Sequence, residues 1–231
     1  MSRTPAGIED VSAVLFDLDG TLADSAPDLA YVLNQQLLSR QRPTVPVNAL
    51  RPYVSQGARG LLRAGFGVVP GDADYTLLRD EFLDLYEQNL HRETRLFPGM
   101  AEVLATLDER GIAWGIVTNK LERFALPLVQ ALGLHARAAC VIGGDTTPRA
   151  KPHPEPLMEA SRRVGVSVQA CLYVGDDERD VQAGLAAGMT PVVALYGYLG
   201  DDKPPAQWGA DLFIACPLDL LYLLGAPSSM R

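Results

Sequence analysis

Short apolar runs recur along this chain, and their spacing restricts the fold more than any other feature. Ala13-Val14-Leu15-Phe16 is the first. Ile112–Val117, Ala139–Ile142, Cys171–Val174 and Pro191–Leu195 follow, with a weaker run at Asp211–Ile214. Each fits a strand buried on both faces. Helical spacing appears between them. Met100, Val103, Leu104 and Leu107 share a face, with Gly111 as a stop, and Val181, Leu185 and Ala186 repeat the pattern ahead of Gly188. Strands alternating with helices imply βαβ units and a mostly parallel sheet. In such sheets functional sites lie beyond the carboxyl ends of the strands.

The alternation breaks once. From about Ser25 to Arg95 the chain has helical periodicity and no convincing strand: Leu29, Val32, Leu33 and Leu37 form one face, Leu61, Leu62 and Phe66 a second, and Leu78, Phe82, Leu85 and Tyr86 a third. Pro27 suits a first helical turn, with Asp24 or Ser25 as its N-cap. The expected fold class is therefore α/β. A Rossmann-like parallel-sheet core with helices on both faces (residues 1–24 and 95–231) carries a small all-helical cap domain (residues 25–94) inserted after the first strand. The hinges fall near Asp24 and Phe97-Pro98-Gly99.

A net charge of −8 and a pI near 4.9 argue against nucleic-acid or anionic-membrane partners. The opening MSRTPAGIED lacks the pattern of a signal peptide, and no apolar stretch approaches the ~20 residues of a membrane span. Cys140, Cys171 and Cys216 are widely separated in apolar surroundings, as small buried residues of a reducing compartment would be. A cytoplasmic protein is expected, a monomer or a homodimer.

Four short motifs fall at or just after predicted strand ends. In Asp17-Leu18-Asp19-Gly20-Thr21 two carboxylates can face one crevice, and Gly20 permits a turn that brings backbone N–H groups near a phosphate; the plainer reading is a solvated turn. Thr118-Asn119-Lys120 offers a hydroxyl donor, or simply a helix cap. Lys151 lies in a proline-stiffened stretch, Lys151-Pro152-His153-Pro154, suited to pairing with an anion, although a surface turn has the same composition. In Gly175-Asp176-Asp177-Glu178-Arg179-Asp180 an acidic helix N-terminus accounts for Asp177 and Glu178 but not for Asp180. Asp17, Asp176 and a backbone oxygen of Asp19 would make a site for a hard divalent cation.

In this order and spacing the motifs resemble the haloacid dehalogenase superfamily, and the helical insert resembles its type-one cap subgroup. The resemblance implies a phosphatase with Mg2+ as cofactor and a small-molecule phosphate ester as substrate. Asp17 is then the nucleophile that becomes an aspartyl phosphate, and Asp19 the general acid and base. Thr118 and Lys151 neutralise the phosphoryl oxygens. Asp17, Asp19 and Asp176 hold the metal, and Asp180 orients metal-bound water or Lys151. Gly20, Thr21 and Asn119 join the substrate-binding set. Asp19 with Gly20-Thr21 favours phosphoryl chemistry over carbon–halogen cleavage. Val54-Ser55-Gln56-Gly57-Ala58-Arg59 resembles the cap loop of phosphoglycolate phosphatases, where Arg59 either holds a substrate carboxylate or decorates the solvent face. Trp114–Lys120, Arg123-Phe124-Ala125, Gly175–Asp180 and Tyr196-Gly197-Tyr198 with Trp208-Gly209-Ala210-Asp211 resemble the N-acetylmuramic acid 6-phosphate phosphatases. That sugar phosphate is the favoured substrate, with 2-phosphoglycolate close behind. The alternatives are a phosphomutase of the β-phosphoglucomutase type and a non-catalytic phosphate-binding protein. His91, His135 and His153 fall at no motif position requiring them, and Tyr198 and Trp208 are expected to pack a loop.

Overall fold

The computed structural model describes residues 11–200 and 203–225, so the N-terminal segment discussed above lies outside the described residues. Six parallel strands form one sheet in the order β5-β4-β1-β6-β7-β8. They are β1 (Ala13–Phe16), β4 (Ala113–Val117), β5 (Val141–Ile142), β6 (Cys171–Gly175), β7 (Thr190–Ala194) and β8 (Leu212–Ile214). Side-chain alternation sends the β1 residues to opposite faces. Val14 and Phe16 pack with Trp114, Leu172 and Val174 under helices α5 (Met100–Glu109) and α6 (Glu122–Ala131). Ala13 and Leu15 pack with Cys171 and Tyr173 under α7 (Glu155–Val164) and α8 (Glu178–Ala187). A short α9 (Asp219–Leu223) adds Leu220 to the first face. With both faces covered, every β1 residue is fully buried, as its apolar run requires.

Two expectations change in detail. Leu185 and Ala186 do not face the core; the buried face of α8 is Val181, Ala183, Gly184 and Ala187. The small residues let the helix lie close to the sheet: a Cβ on Gly184 would stand 3.3 Å from Pro191. Cys216 is exposed, whereas Cys140 and Cys171 are buried thiols, each pushed up to about 11 by burial.

Between β1 and β4 the chain forms α1 (Ala26–Ser39), α2 (Val47–Val54), α3 (Gly57–Phe66) and α4 (Tyr75–Glu87). These helices pack on one another around a cluster of their own that includes Leu29, Leu33, Leu37, Leu50, Leu61, Leu62, Leu78, Phe82 and Tyr86; Phe124 and Tyr198 join it from the sheet side. Two-residue strands β2 (Ala23–Asp24) and β3 (Arg95–Leu96) pair antiparallel where the chain enters and leaves this body. No periodicity argument detects strands that short. Ser25 occupies the N-cap position of α1 without capping it; its hydroxyl donates to Asp19 instead.

The crossing is fastened by Asp28, which is 1% exposed. Its carboxylate accepts the backbone N–H groups of Arg92, Glu93 and Thr94 at 2.9–3.0 Å and the Thr94 hydroxyl at 2.6 Å. Removing the acceptor strands several donors away from water. Asp28→Ala is therefore expected to lower unfolding free energy by about 3 kcal/mol or more, read from urea denaturation; an unchanged midpoint would show that these bonds carry no stability.

Candidate active site

Phe16 lies opposite Ile116 and Val174, so the residues that follow β1, β4 and β6 leave the sheet along one edge. They are Asp17, Thr118 and Asp176. Asp17 and Thr118 open onto a cavity of about 280 Å³ between the sheet edge and the helical body, shared with Asp19, Asn119, Lys120, Lys151, Arg179 and Asp180. Leu29, Val54, Leu83 and Tyr86 line it from the helical body beside Ser55 and Gln56, and Leu121 and Phe124 add apolar surface from the start of α6.

Lys151 organises the floor. Its buried Nζ lies 3.0 Å from Asp17 and 2.7 Å from Asp180, and it also donates to the Tyr173 hydroxyl and the Val117 carbonyl. Burial opposes its charge, but Asp17 and Asp180 override that and raise its pKa. Asp180 is used twice: one oxygen meets Lys151 and the other accepts the Asp177 N–H, closing a capping box at the start of α8. The recurrence of a carboxylate at this position thus has a structural as well as an electrostatic reason.

Asp176 is fully buried beneath the cavity. The Thr21 hydroxyl donates to one oxygen at 2.8 Å and the Tyr198 N–H to the other at 2.9 Å. Gly20 and Gly197 flank it so closely that a Cβ on either would stand 2.2 Å from an Asp176 atom. Gly20 and Thr21 therefore build the Asp176 seat and do not line the cavity. Asn119 reaches the cavity wall, but its amide is spent on the Lys151 backbone, accepting its N–H at 3.0 Å and donating to its carbonyl at 2.9 Å. It holds the lysine's main chain.

Arg59 is exposed and lines a different cavity, of about 320 Å³, with Arg63, Lys203 and Trp208. Sequence reasoning passed over three residues that do line the site. Lys120, with a side chain only 7% exposed, places Nζ 2.8 and 3.0 Å from the two Asp19 oxygens. Arg179 pairs with Asp177 and donates to the Ser55 carbonyl at 2.6 Å, joining α8 to the loop between α2 and α3. Tyr86 projects from α4. Lys120 had a readable signal, since it follows directly on a strand-end hydroxyl motif; Tyr86 had only a polar tip on an apolar helical face.

Asp17, Asp176 and Asp180 offer oxygens that all lie within 4.8 Å of one another. Burial, partly offset by Lys151 and reinforced by Asp180 and Asp19, pushes Asp17 up to about 6. Burial, then Asp17 and Asp180, drive Asp176 well above the usual carboxylate range. Fully ionised, the cluster would carry more negative charge than one lysine offsets, which is why its carboxyls retain protons so readily. An all-oxygen donor set with unmet negative charge fits a hard divalent cation.

The description haloacid dehalogenase-like hydrolase belongs to a family model that matches residues 14–194. The chain is a member of that family. The phosphoglycolate phosphatase of Xanthomonas campestris is 47% identical over 209 residues, covering 90% of this chain and 94% of that protein. The N-acetylmuramic acid 6-phosphate phosphatase of Pseudomonas putida is 41% identical over 208 residues, covering 90% and 93%. A crystal structure described as a predicted phosphoglycolate phosphatase from Haemophilus somnus superposes with a TM-score of 0.81 at 29% identity, covering 94% of this chain and 99% of that one. The chain is thus an enzyme of a hydrolase family whose similar members carry phosphatase names. Among the described residues no helix is long and apolar enough to cross a membrane.

The elevated Asp17 pKa has a thermodynamic consequence. Its carboxyl holds a proton more tightly folded (about 6) than a free aspartate does (3.8), so without metal its contribution falls as pH rises through that window. Asp17→Asn removes the buried charge. In chelator at neutral pH this variant is expected to be more stable than the wild type by about 1–3 kcal/mol, an advantage that disappears below pH ~4; equal stability at both pH values would contradict it.

Proposed function

We propose that this protein is a magnesium-dependent phosphomonoester hydrolase of the cytoplasm that acts through an aspartyl phosphate on a small carboxylate-bearing phosphate ester. The observation that carries the reading is the placement of Asp17, Thr118 and Lys151 on the floor of one cavity, with Asp19 at its side. Asp17 is the nucleophile: its carboxylate attacks phosphorus and the ester oxygen departs on the opposite side. Asp19 gives that oxygen a proton and then takes one from the water that cleaves the acyl phosphate. Thr118 and Lys151 place an O–H and an ammonium against phosphoryl oxygens, where charge builds up in the transition state. Asp17, Asp176 and the Asp19 backbone would hold magnesium, with Asp180 beside it, and the bound ion would screen the nucleophile from the dianionic ester. The helical body, residues 25–94 in this reading, serves as the cap that excludes water from the floor.

Of the two substrates named by the relatives, N-acetylmuramic acid 6-phosphate is favoured. Phosphoglycolate carries no apolar group to bury, whereas the wall formed by Leu29, Val54, Leu83, Leu121 and Phe124 suits the methyl groups and ring carbons of an acylated sugar.

Two measurements test this. Chelation is expected to abolish release of inorganic phosphate and added magnesium to restore it; full turnover in chelator would remove the metal from the scheme. With magnesium, kcat/KM for N-acetylmuramic acid 6-phosphate is expected to exceed that for 2-phosphoglycolate by about a hundredfold, roughly 2.7 kcal/mol. The reverse order would make the two-carbon ester the substrate, and an isomerised sugar phosphate without free phosphate would replace hydrolysis by a mutase reaction.

A further inference from the structure

With Arg59 outside the cavity, the carboxylate of such a substrate needs another receptor. Lys151 is committed to Asp17 and Asp180. Arg179 spends Nε and Nη2 on Asp177 and the Ser55 carbonyl, which leaves its Nη1 N–H groups as further donors. Lys120 lines the same cavity and stands against the helical body. Its ammonium has three N–H groups, and the two oxygens of Asp19 account for two of them. The Nζ also lies 4.8 Å from the centroid of the Tyr86 ring.

Tyr86 is 2% exposed, lines the same cavity, and donates its hydroxyl proton to no acceptor among the described residues. A buried hydroxyl normally finds a partner, and one without it beside a ligand cavity marks a bond left for the ligand. Burial, only partly offset by Lys120, pushes the hydroxyl up to about 12, so it stays a donor at any physiological pH. Stacking on Phe82 and a tilted contact with Phe124, ring centroids 5.5 Å apart, fix the ring.

We infer that Lys120, from the end of β4, and Tyr86, from α4, form the subsite that receives the substrate's carboxylate. A carboxylate has two acceptor oxygens and no proton to donate, and it matches an ammonium beside a phenol whose O–H has no acceptor. The phosphate does not compete for this place, because Lys151 and Thr118 lie at the floor. The donors come from different parts of the fold, α4 and the segment after β4, so a bound carboxylate would also tie the helical body to the sheet edge. This assignment rests on the phosphomonoesterase reading above.

The test compares each acid with a counterpart lacking the carboxylate: N-acetylmuramic acid 6-phosphate against N-acetylglucosamine 6-phosphate, and 2-phosphoglycolate against 2-hydroxyethyl phosphate. Tyr86→Phe keeps the ring and deletes only an unpaired hydroxyl, so its melting temperature is expected not to fall. Its kcat/KM for the preferred acid is expected to drop about tenfold while that for the counterpart stays within twofold. Lys120→Met is expected to slow both, through Asp19, but to slow the acid more. If the wild type prefers the acid and Tyr86→Phe leaves that preference intact, the subsite is wrong and the substrate class stands. If the wild type hydrolyses the counterpart as well as the acid, the carboxylate reading and the subsite both fall.

Discussion

A single buried ammonium holds together a group of carboxylates that would otherwise repel one another. Two like charges about 4 Å apart at an effective dielectric near 20 repel by roughly 4 kcal/mol, and Asp17, Asp176 and Asp180 lie closer together than 4.8 Å. Lys151 touches two of them, and its own charge survives burial only because they are there. Much of the surrounding structure fixes this lysine. Asn119 clamps its backbone, Tyr173 and the Val117 carbonyl accept from its Nζ, and Asp180 is anchored by the first turn of α8. A group that is costly to bury becomes a fixed point when every alternative position would leave a charge unpaired.

The sheet was legible because parallel strands covered on both faces leave uninterrupted apolar runs. Those runs gave Ala13–Phe16 to the residue and the other five strands to within a residue or two, most loosely at Val141–Ile142. Helix α8 was read at the right place with the wrong face. Leucine is the usual mark of a buried position, but here close approach to the sheet selects Ala183, Gly184 and Ala187, leaving Leu185 outside. The paired strands β2 and β3 carry no pattern because two residues have no periodicity to show.

Legibility of the site divided along similar lines. Residues that the strands deliver directly, Asp17, Thr118 and Asp176, could be read from position alone, and Lys151, Asp180 and Asp19 meet around them. Partners set by the meeting of distant segments could not. Gly20 and Thr21 resemble ligand-facing residues in a linear motif, yet three-dimensional packing turns them towards Asp176, and Asn119, at the cavity wall, spends its amide on the Lys151 backbone. Arg59 and Tyr86 show the same difficulty from opposite sides. Arg59 lines a different cavity from the one its motif suggested, and Tyr86 is both part of the buried cluster and a lining residue of the site.

The seat of Asp176 limits how this chain can diverge. Gly20 and Gly197 are separated by most of the sequence, yet both leave room for the same carboxylate, and a Cβ at position 197 would also stand 2.4 Å from the Gly20 carbonyl. A methyl group at either position therefore acts as a steric veto on Asp176, although neither glycine faces the cavity. The apolar wall carries no comparable restriction, since leucines and valines there can be exchanged for similar volumes at small cost. The wall can change sequence while the two glycines stay fixed, so selection on this scaffold separates into a rigid support beneath the cavity and a freely varied lining beside it.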